Sequence, residues 1–224
     1  MPYKTVNPAT NELVKEFTPL TKEEALDAVS NAHEAFQSWR QTGFDDRKEV
    51  ILAFAQNLRD NTDEYAELIT LEMGKRISEA RDEIVFCAQI AEFYANGAEE
   101  FLADRKMDRV DADAYVQHAP IGALFGVMPW NFPFYQVTRF ATPNIMAGNT
   151  VLVKHAGCVP QCAAKIEEIF NEVGLPDGVF TNLYIPSEFS EAIISDERIQ
   201  GVSLTGSEKA GASVAALAGK NIKR

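Results

Sequence analysis

The sequence predicts a doubly wound α/β fold, with a parallel sheet preceded by a helical amino-terminal segment. Three observations carry that expectation. Apolar residues recur at helical spacing through most of the first hundred positions. From about residue 106, strand-like and helix-like segments alternate with short loops, which implies crossover connections and a parallel sheet. Finally, Ala123 to Met128 is apolar throughout, as a strand buried on both faces should be.

The helices come first. Thr21-Lys22-Glu23-Glu24 is a capping box, followed by Ala25, Ala28, Val29, Ala32, Phe36 and Trp39 in helical register. Gly43 breaks that pattern, and Asp45 is placed to cap a second helix with Val50, Phe54 and Leu58 on one face. Tyr65, Leu68 and Ile69 mark a third helix ending before Gly74. A fourth, from about Ser78 to Leu102, keeps Ala80, Ile84, Cys87, Ala91 and Tyr94 in register. No repeat length relates the four, so they form a layer rather than an array.

The second half reads differently. Strands are expected at Ala114 to Gln117, Ala123 to Met128, Thr150 to Lys154, Val179 to Ile185 and Ile199 to Leu204. Helices are expected at Phe134 to Ala147 (despite Pro143), Pro160 to Val173, Glu188 to Ile194 and Ser207 to Ala218. Ligands of such sheets bind beyond the carboxyl ends of the strands.

Composition removes several function classes. The chain has 224 residues, 46% of them hydrophobic and 10% aromatic, which supports a packed core and argues against disorder. With 21 basic and 33 acidic residues the net charge is −12 and no basic stripe is visible, so neither nucleic acid nor an anionic membrane is an expected partner. No apolar run approaches the ~20 residues of a membrane span, and Met1-Pro2-Tyr3-Lys4 does not open a signal peptide. Three cysteines without a pairing framework suggest reduced thiols and a cytoplasmic location.

Three strand ends carry unusual residues. Pro129-Trp130-Asn131-Phe132-Pro133 follows the apolar strand, and Pro133 suits the first turn of a helix. Asn131 at that junction can either donate to a developing oxyanion or cap the helix. Lys154, ending the next strand, can bond ribose hydroxyls or a phosphate, or simply snorkel into solvent. Leu204-Thr205-Gly206-Ser207 turns into a helix whose free amides and dipole suit an anion, with Gly211 one turn on. The glycine spacing lacks the usual Gly-x-Gly-x-x-Gly fingerprint. His155, Cys158 and Cys162 spell a metal-like spacing without an apparent fourth ligand, so no metal is assigned. The two cysteines also open a helix, where a thiol pKa can fall. Cys87 fits a buried structural cysteine, and His33 and His118 structural or solvent-facing roles.

Together these junctions resemble the NAD(P)-dependent aldehyde dehydrogenases. Asn7-Pro8-Ala9-Thr10-Asn11-Glu12 and Leu71-Glu72-Met73-Gly74-Lys75 match the same family, so the resemblance spans the chain. It implies a Rossmann-type cofactor-binding region at 121–224, its helical amino-terminal part at 1–105 and the start of an oligomerisation arm at 106–120. By resemblance Asn131 is the catalytic oxyanion donor, while Pro129, Trp130, Lys154, His155, Ala156, Gly157, Gly206, Ser207 and Gly211 face NAD or NADP. Gly157 stands where many NAD-specific relatives place a glutamate, which implies that NADP is accepted.

The family's nucleophilic cysteine and general-base glutamate find no counterpart, so the resemblance implies an amino-terminal fragment without the catalytic domain, inactive alone. Succinate-semialdehyde dehydrogenases resemble the stretch around Phe132 and Arg139 most closely, with an arginine that binds the substrate carboxylate. The expectation is a homodimeric or homotetrameric oxidoreductase acting on succinate semialdehyde. The alternatives are a dehydrogenase for another small aldehyde and a non-catalytic nucleotide-binding or scaffolding protein.

Overall fold

The structure, a computed structural model, describes residues 3–108 and 113–224. Its centre is a four-stranded parallel sheet of β5 (Ala123–Val127), β6 (Thr150–Lys154), β7 (Phe180–Asn182) and β8 (Ile199–Leu204), in the order β7-β6-β5-β8. The chain moves outward from β5 to β7 and then returns to pair β8 on the other side of β5. Connections therefore leave β5 and β8 in opposite senses, the switch point at which such sheets open a crevice.

Helices cover both faces. Alternation along the strands sends Ala123, Phe125 and Leu152 to one face, where they meet Ala25, Val29 and Ala32 of α1 (Lys22–Trp39) and Ile193 and Ile194 of α7 (Ser190–Ser195). Leu124, Val151 and Val153 face the other way, toward α5 (Pro133–Met146) and α6 (Pro160–Glu172). Outside these lie α2 (Phe44–Asp60), α3 (Thr62–Met73) and α4 (Ile77–Phe101), and α8 (Glu208–Lys220) ends the chain. A Cβ on Gly126 of β5 would stand 2.6 Å from the Phe140 ring, so this glycine is what allows α5 to lie so close to the sheet.

Buried polar groups tie the helical layer together. Arg47 of α2 donates to the carbonyls of Trp39, Arg40 and Thr42 and to Met146 at the end of α5. The Trp39 indole donates to the Ile145 carbonyl at 3.1 Å. One cation thus ties together four carbonyls from the end of α1, the turn after it and the end of α5.

Several expectations need correction. The amino terminus is not helical throughout but opens with a hairpin, β1 (Tyr3–Val6) on β2 (Leu13–Phe17). Only β1 alternates, with Tyr3 and Thr5 buried, whereas β2 is exposed along most of its length and offers no apolar period to read. Gly43, not Asp45, is the N-cap of α2, and the Asp46 carboxylate accepts the Gly43 N–H at 3.2 Å. The seven residues expected as strand around Val179 narrow to Phe180–Asn182, and the helix expected at Glu188 to Ile194 divides into a 3-10 turn, Ser187–Phe189, and α7. In the expected arm, β3 (Arg105–Lys106) pairs antiparallel with β4 (Tyr115–Val116), while residues 109–112 lie outside the described residues. The capping box at Thr21, the stop of α3 at left-handed Gly74 and the bounds of β6 and β8 are as expected. Among the described residues no helix is long and apolar enough to cross a membrane.

Candidate active site at the carboxyl ends of the strands

Register brings the three unusual junctions together. Val127 pairs with Lys154 on one side and with Leu204 on the other. Hydrogen bonds extend the match past the strands, Met128 N–H to the Lys154 carbonyl and Thr205 N–H to the Val127 carbonyl, both 3.0 Å. The Pro129–Pro133 segment, Lys154 and the Gly206 turn therefore line one edge.

Phe132 is the N-cap of α5 and Pro133 its first residue, and the Phe132 side chain makes no capping hydrogen bond. Asn131 does not act as its cap; it stands exposed beside exposed Trp130. The cap comes from elsewhere. Glu83 of α4, fully buried, accepts the N–H groups of Phe134 and Tyr135 at 2.9 and 3.1 Å, a carboxylate at the positive end of the helix. Lys75 pairs with the same carboxylate and lies 3.6 Å from the centroid of the Phe132 ring. Phe134 is fully buried and stacks on Tyr65 at 5.6 Å; burying such a ring contributes roughly 2–3 kcal/mol, which anchors the start of α5.

His155 holds the same segment from the sheet side. Its Nδ1 accepts the Ala156 N–H at 2.8 Å, so the proton sits on Nε2, which donates to the Pro133 carbonyl at 2.9 Å. The imidazole is fully buried, and that burial lowers its pKa from 6.5 to about 4. Its side chain serves the fold rather than presenting itself to a cofactor. With both nitrogens bonded to backbone it is not free to join Cys158 and Cys162 around a metal, and no such cluster exists among the described residues.

A stability prediction follows from the sign of this shift. A folded-state pKa below the unfolded value means that protons favour the unfolded chain. The contribution is complete above about pH 6.5 and is lost as pH falls from there toward 4, by about 3 kcal/mol. Urea unfolding of the protein and of its His155→Gln variant over this range should show a steeper loss in the parent. Parallel curves would contradict it.

Lys154 is half-buried with the Tyr3 ring 5.8 Å away, and burial lowers its pKa. Among the described residues no carboxylate pairs with it. Ala156 and Gly157 follow, half-buried, and the Gly157 carbonyl accepts the Lys4 N–H at 3.1 Å. The expected fall in the Cys158 and Cys162 thiol pKa does not occur. The buried Glu72 carboxylate already takes the Gln161 and Cys162 N–H groups at 2.9 and 2.8 Å, which occupies the positive end of α6. Desolvation first, then the Glu72 charge, pushes both thiols up.

Ser207 caps α8, its Oγ accepting the Ala210 N–H at 3.3 Å; Gly206 is exposed and Gly211 half-buried one turn on. The remaining first-turn amides suit a phosphate oxygen. An ammonium on one strand end, with no carboxylate partner among the described residues, and a helix amino terminus on another fit the diphosphate and ribose of a dinucleotide.

Two further hollows lie between α4 and α5. A cavity of about 570 Å³ is lined by Phe86, Phe132 and Tyr135 together with Lys75 and the acids Glu79, Asp82 and Glu83. A second, about 350 Å³, shares Phe86 and reaches Arg139. Arg139 Nη2 donates to Gln136 at 3.0 Å and to the Thr205 hydroxyl at 3.3 Å, which places the guanidinium beside the end of β8. The guanidinium also lies 5.4 Å from the Tyr135 ring centroid, and no acid pairs with it among the described residues. Hollows of about 610 and 750 Å³ beside the hairpin are lined by no residue of these strand ends.

Sequence reasoning missed Glu83, Phe86 and Tyr135. Phe86 carried a signal, because an aromatic off the Ala80–Ile84–Cys87–Ala91 stripe of α4 has no core to enter. Glu83 carried none, since an acid on a helix usually faces water.

Known proteins share this arrangement. The aldehyde dehydrogenase family pattern matches residues 1–224. A succinate-semialdehyde dehydrogenase (NADP(+)) of Deinococcus radiodurans is 44% identical over 223 residues, covering 100% of this chain and 47% of that protein. A Mycobacterium tuberculosis protein named succinate-semialdehyde dehydrogenase (NADP(+)) 1 is 46% identical over 226 residues, with 100% and 50% covered. The crystal structure of succinic semialdehyde dehydrogenase from Streptococcus pyogenes with NADP+ superposes with a TM-score of 0.96 at 40% identity, covering 99% of this chain and 49% of that one. A structure of Gox0499 gives 0.98 at 42% identity, covering 100% and 49%. The chain spans about half the length of the curated relatives it matches. A parallel sheet with these three junctions at one edge, matched along its whole length, makes this chain a member of the aldehyde dehydrogenase family.

Proposed function

We propose that the protein carrying this chain oxidises succinate semialdehyde to succinate, accepting NADP and also NAD. The observation that carries this reading is Arg139, a guanidinium with no acid partner among the described residues, held by Thr205 at the end of β8 beside an aromatic cavity. A small aldehyde with an anionic tail would lie along Phe132 and Tyr135 with its carboxylate on Arg139 and its carbonyl toward Asn131.

The residues then divide the work. Asn131 donates its side-chain amide to the carbonyl oxygen as negative charge builds there. A thiolate and a general base, which the resemblance places in the part of the family not spanned here, form and hydrolyse the thioester. When bound, the nicotinamide accepts the hydride. Lys154 bonds the adenosine ribose, Trp130 and Pro129 border the cofactor path, and Gly206, Ser207 and Gly211 receive the diphosphate. His155 serves by holding Pro133, and Ala156 and Gly157 shape the floor beneath the ribose. Gly157 places no carboxylate near a 2′-phosphate, and Lys154 attracts one.

The same reading assigns 1–105 and 121–224 to the cofactor-binding part and 106–120 to an arm that pairs copies into a dimer or tetramer. Exposed Tyr115 on β4 supports an arm of that kind. Three unpaired cysteines support a reducing, cytoplasmic setting, and the net charge of −12 disfavours nucleic acid and membrane as partners.

Steady-state constants of the complete protein for both cofactors, with succinate semialdehyde saturating, test the cofactor part. NADP should support turnover. A preference for NAD of about a hundredfold or more would contradict it.

A further inference from the structure

Two buried charges stand behind the segment that carries Asn131, and the chemistry above does not use them. The Lys75 and Glu83 side chains are 7% and 0% exposed and pair directly. Taking both ions out of water returns little net stability, and a packed apolar pair of similar size would serve the core as well. What distinguishes this pair is where its other contacts fall. The Glu83 carboxylate takes the N–H groups of Phe134 and Tyr135, and the Lys75 ammonium lies against the Phe132 ring. His155 holds the Pro133 carbonyl. Each of the four residues after Asn131 is therefore gripped by a buried group, while Asn131 itself is exposed and does not cap α5.

We infer that Lys75 and Glu83 are positioning residues for Asn131, fixing through Phe132 and the first turn of α5 where its amide stands. The inference rests on Asn131 being the oxyanion donor. A preorganised donor acts only at the right place, and a displacement of about 1 Å can cost roughly a hundredfold in rate. A side chain without bonds of its own to the helix takes its position from the backbone, and the pair holds that backbone. Glu83→Gln keeps an oxygen for the two amides but removes the charge that binds them and leaves Lys75 unpaired beneath Phe132. Lys75→Met removes the ammonium from the Phe132 ring and leaves the carboxylate on the helix.

The test is a set of coupled variants in the complete enzyme, read as kcat, cofactor KM and thermal midpoint. Glu83→Gln should lower kcat roughly 10- to 100-fold and leave the cofactor KM within about twofold. In an Asn131→Ala background the same change should cost less than about threefold, because the group it positions is gone. The double variant Lys75→Met with Glu83→Gln buries no charge; it should recover the midpoint lost by either single change and still show the kcat loss. That double variant carries the test if a single variant does not fold. A kcat loss of equal size with and without Asn131 would overturn the inference, as would parental kcat in a folded double variant. Parental kcat in Asn131→Ala alone would instead overturn the oxyanion reading, and the positioning role with it.

Discussion

Replacing Asn131 by alanine is expected to lower kcat with succinate semialdehyde by roughly 10²- to 10³-fold in the complete protein, the usual cost of removing one oxyanion donor. The expectation comes from what the side chain is not doing. Asparagine just ahead of a helix usually caps it, and such a cap contributes only about 1 kcal/mol to stability. Here the cap position is Phe132, and the first-turn amides are taken by Glu83. The Asn131 amide is left exposed at the end of β5, the strand flanked by Lys154 and Leu204. A residue free of a structural task should cost activity and not stability. The variant should therefore keep its thermal midpoint and its cofactor KM while kcat falls. A fall in midpoint with kcat retained would return Asn131 to a structural role.

Arg139→Ala should reduce kcat/KM for succinate semialdehyde about 30- to 150-fold more than for butanal, equivalent to about 2–3 kcal/mol for a charge-assisted contact to a carboxylate. Butanal has the same chain length but no anionic end, so the comparison isolates the guanidinium. The alternative, that Arg139 serves the fold, is weak on the geometry. Its bonds to Gln136 and Thr205 are to neutral side chains at 3.0 and 3.3 Å on an exposed residue. Arg139→Lys should recover only part of the loss, because an ammonium lacks the planar fork that matches a carboxylate. Equal losses on the two aldehydes would show that Arg139 does not read the carboxylate.

The parts of the molecule that were legible in the sequence are those where local pattern and burial agree. The apolar β5 and β6 and the capping box of α1 could be placed to within a residue or so because each is dictated by its own stretch. The three junctions were visible because proline, glycine and lysine at strand ends break the pattern around them. What escaped depends on distant partners. The β1–β2 hairpin is stabilised by Tyr3, whose hydroxyl donates to the Ile185 carbonyl, 182 positions away. Glu72 and Glu83 look like solvated acids along α3 and α4, and only the fold reveals that each meets the amino end of another helix. Burial first, and then the Glu72 charge at the start of α6, raise the two thiols instead of lowering them. The His155 imidazole depends on a distant partner in the same way, since it is buried on the Pro133 carbonyl 22 positions away.

The measurement closest to the central claim is the kcat/KM of the unaltered complete protein for succinate semialdehyde and for butanal, each with saturating NADP. Preference for succinate semialdehyde by about 30-fold or more is the result expected of a cavity lined by the Arg139 guanidinium, which no acid pairs with among the described residues. Equal constants, or a preference for butanal, would contradict the assignment of this strand-end site to an anionic semialdehyde.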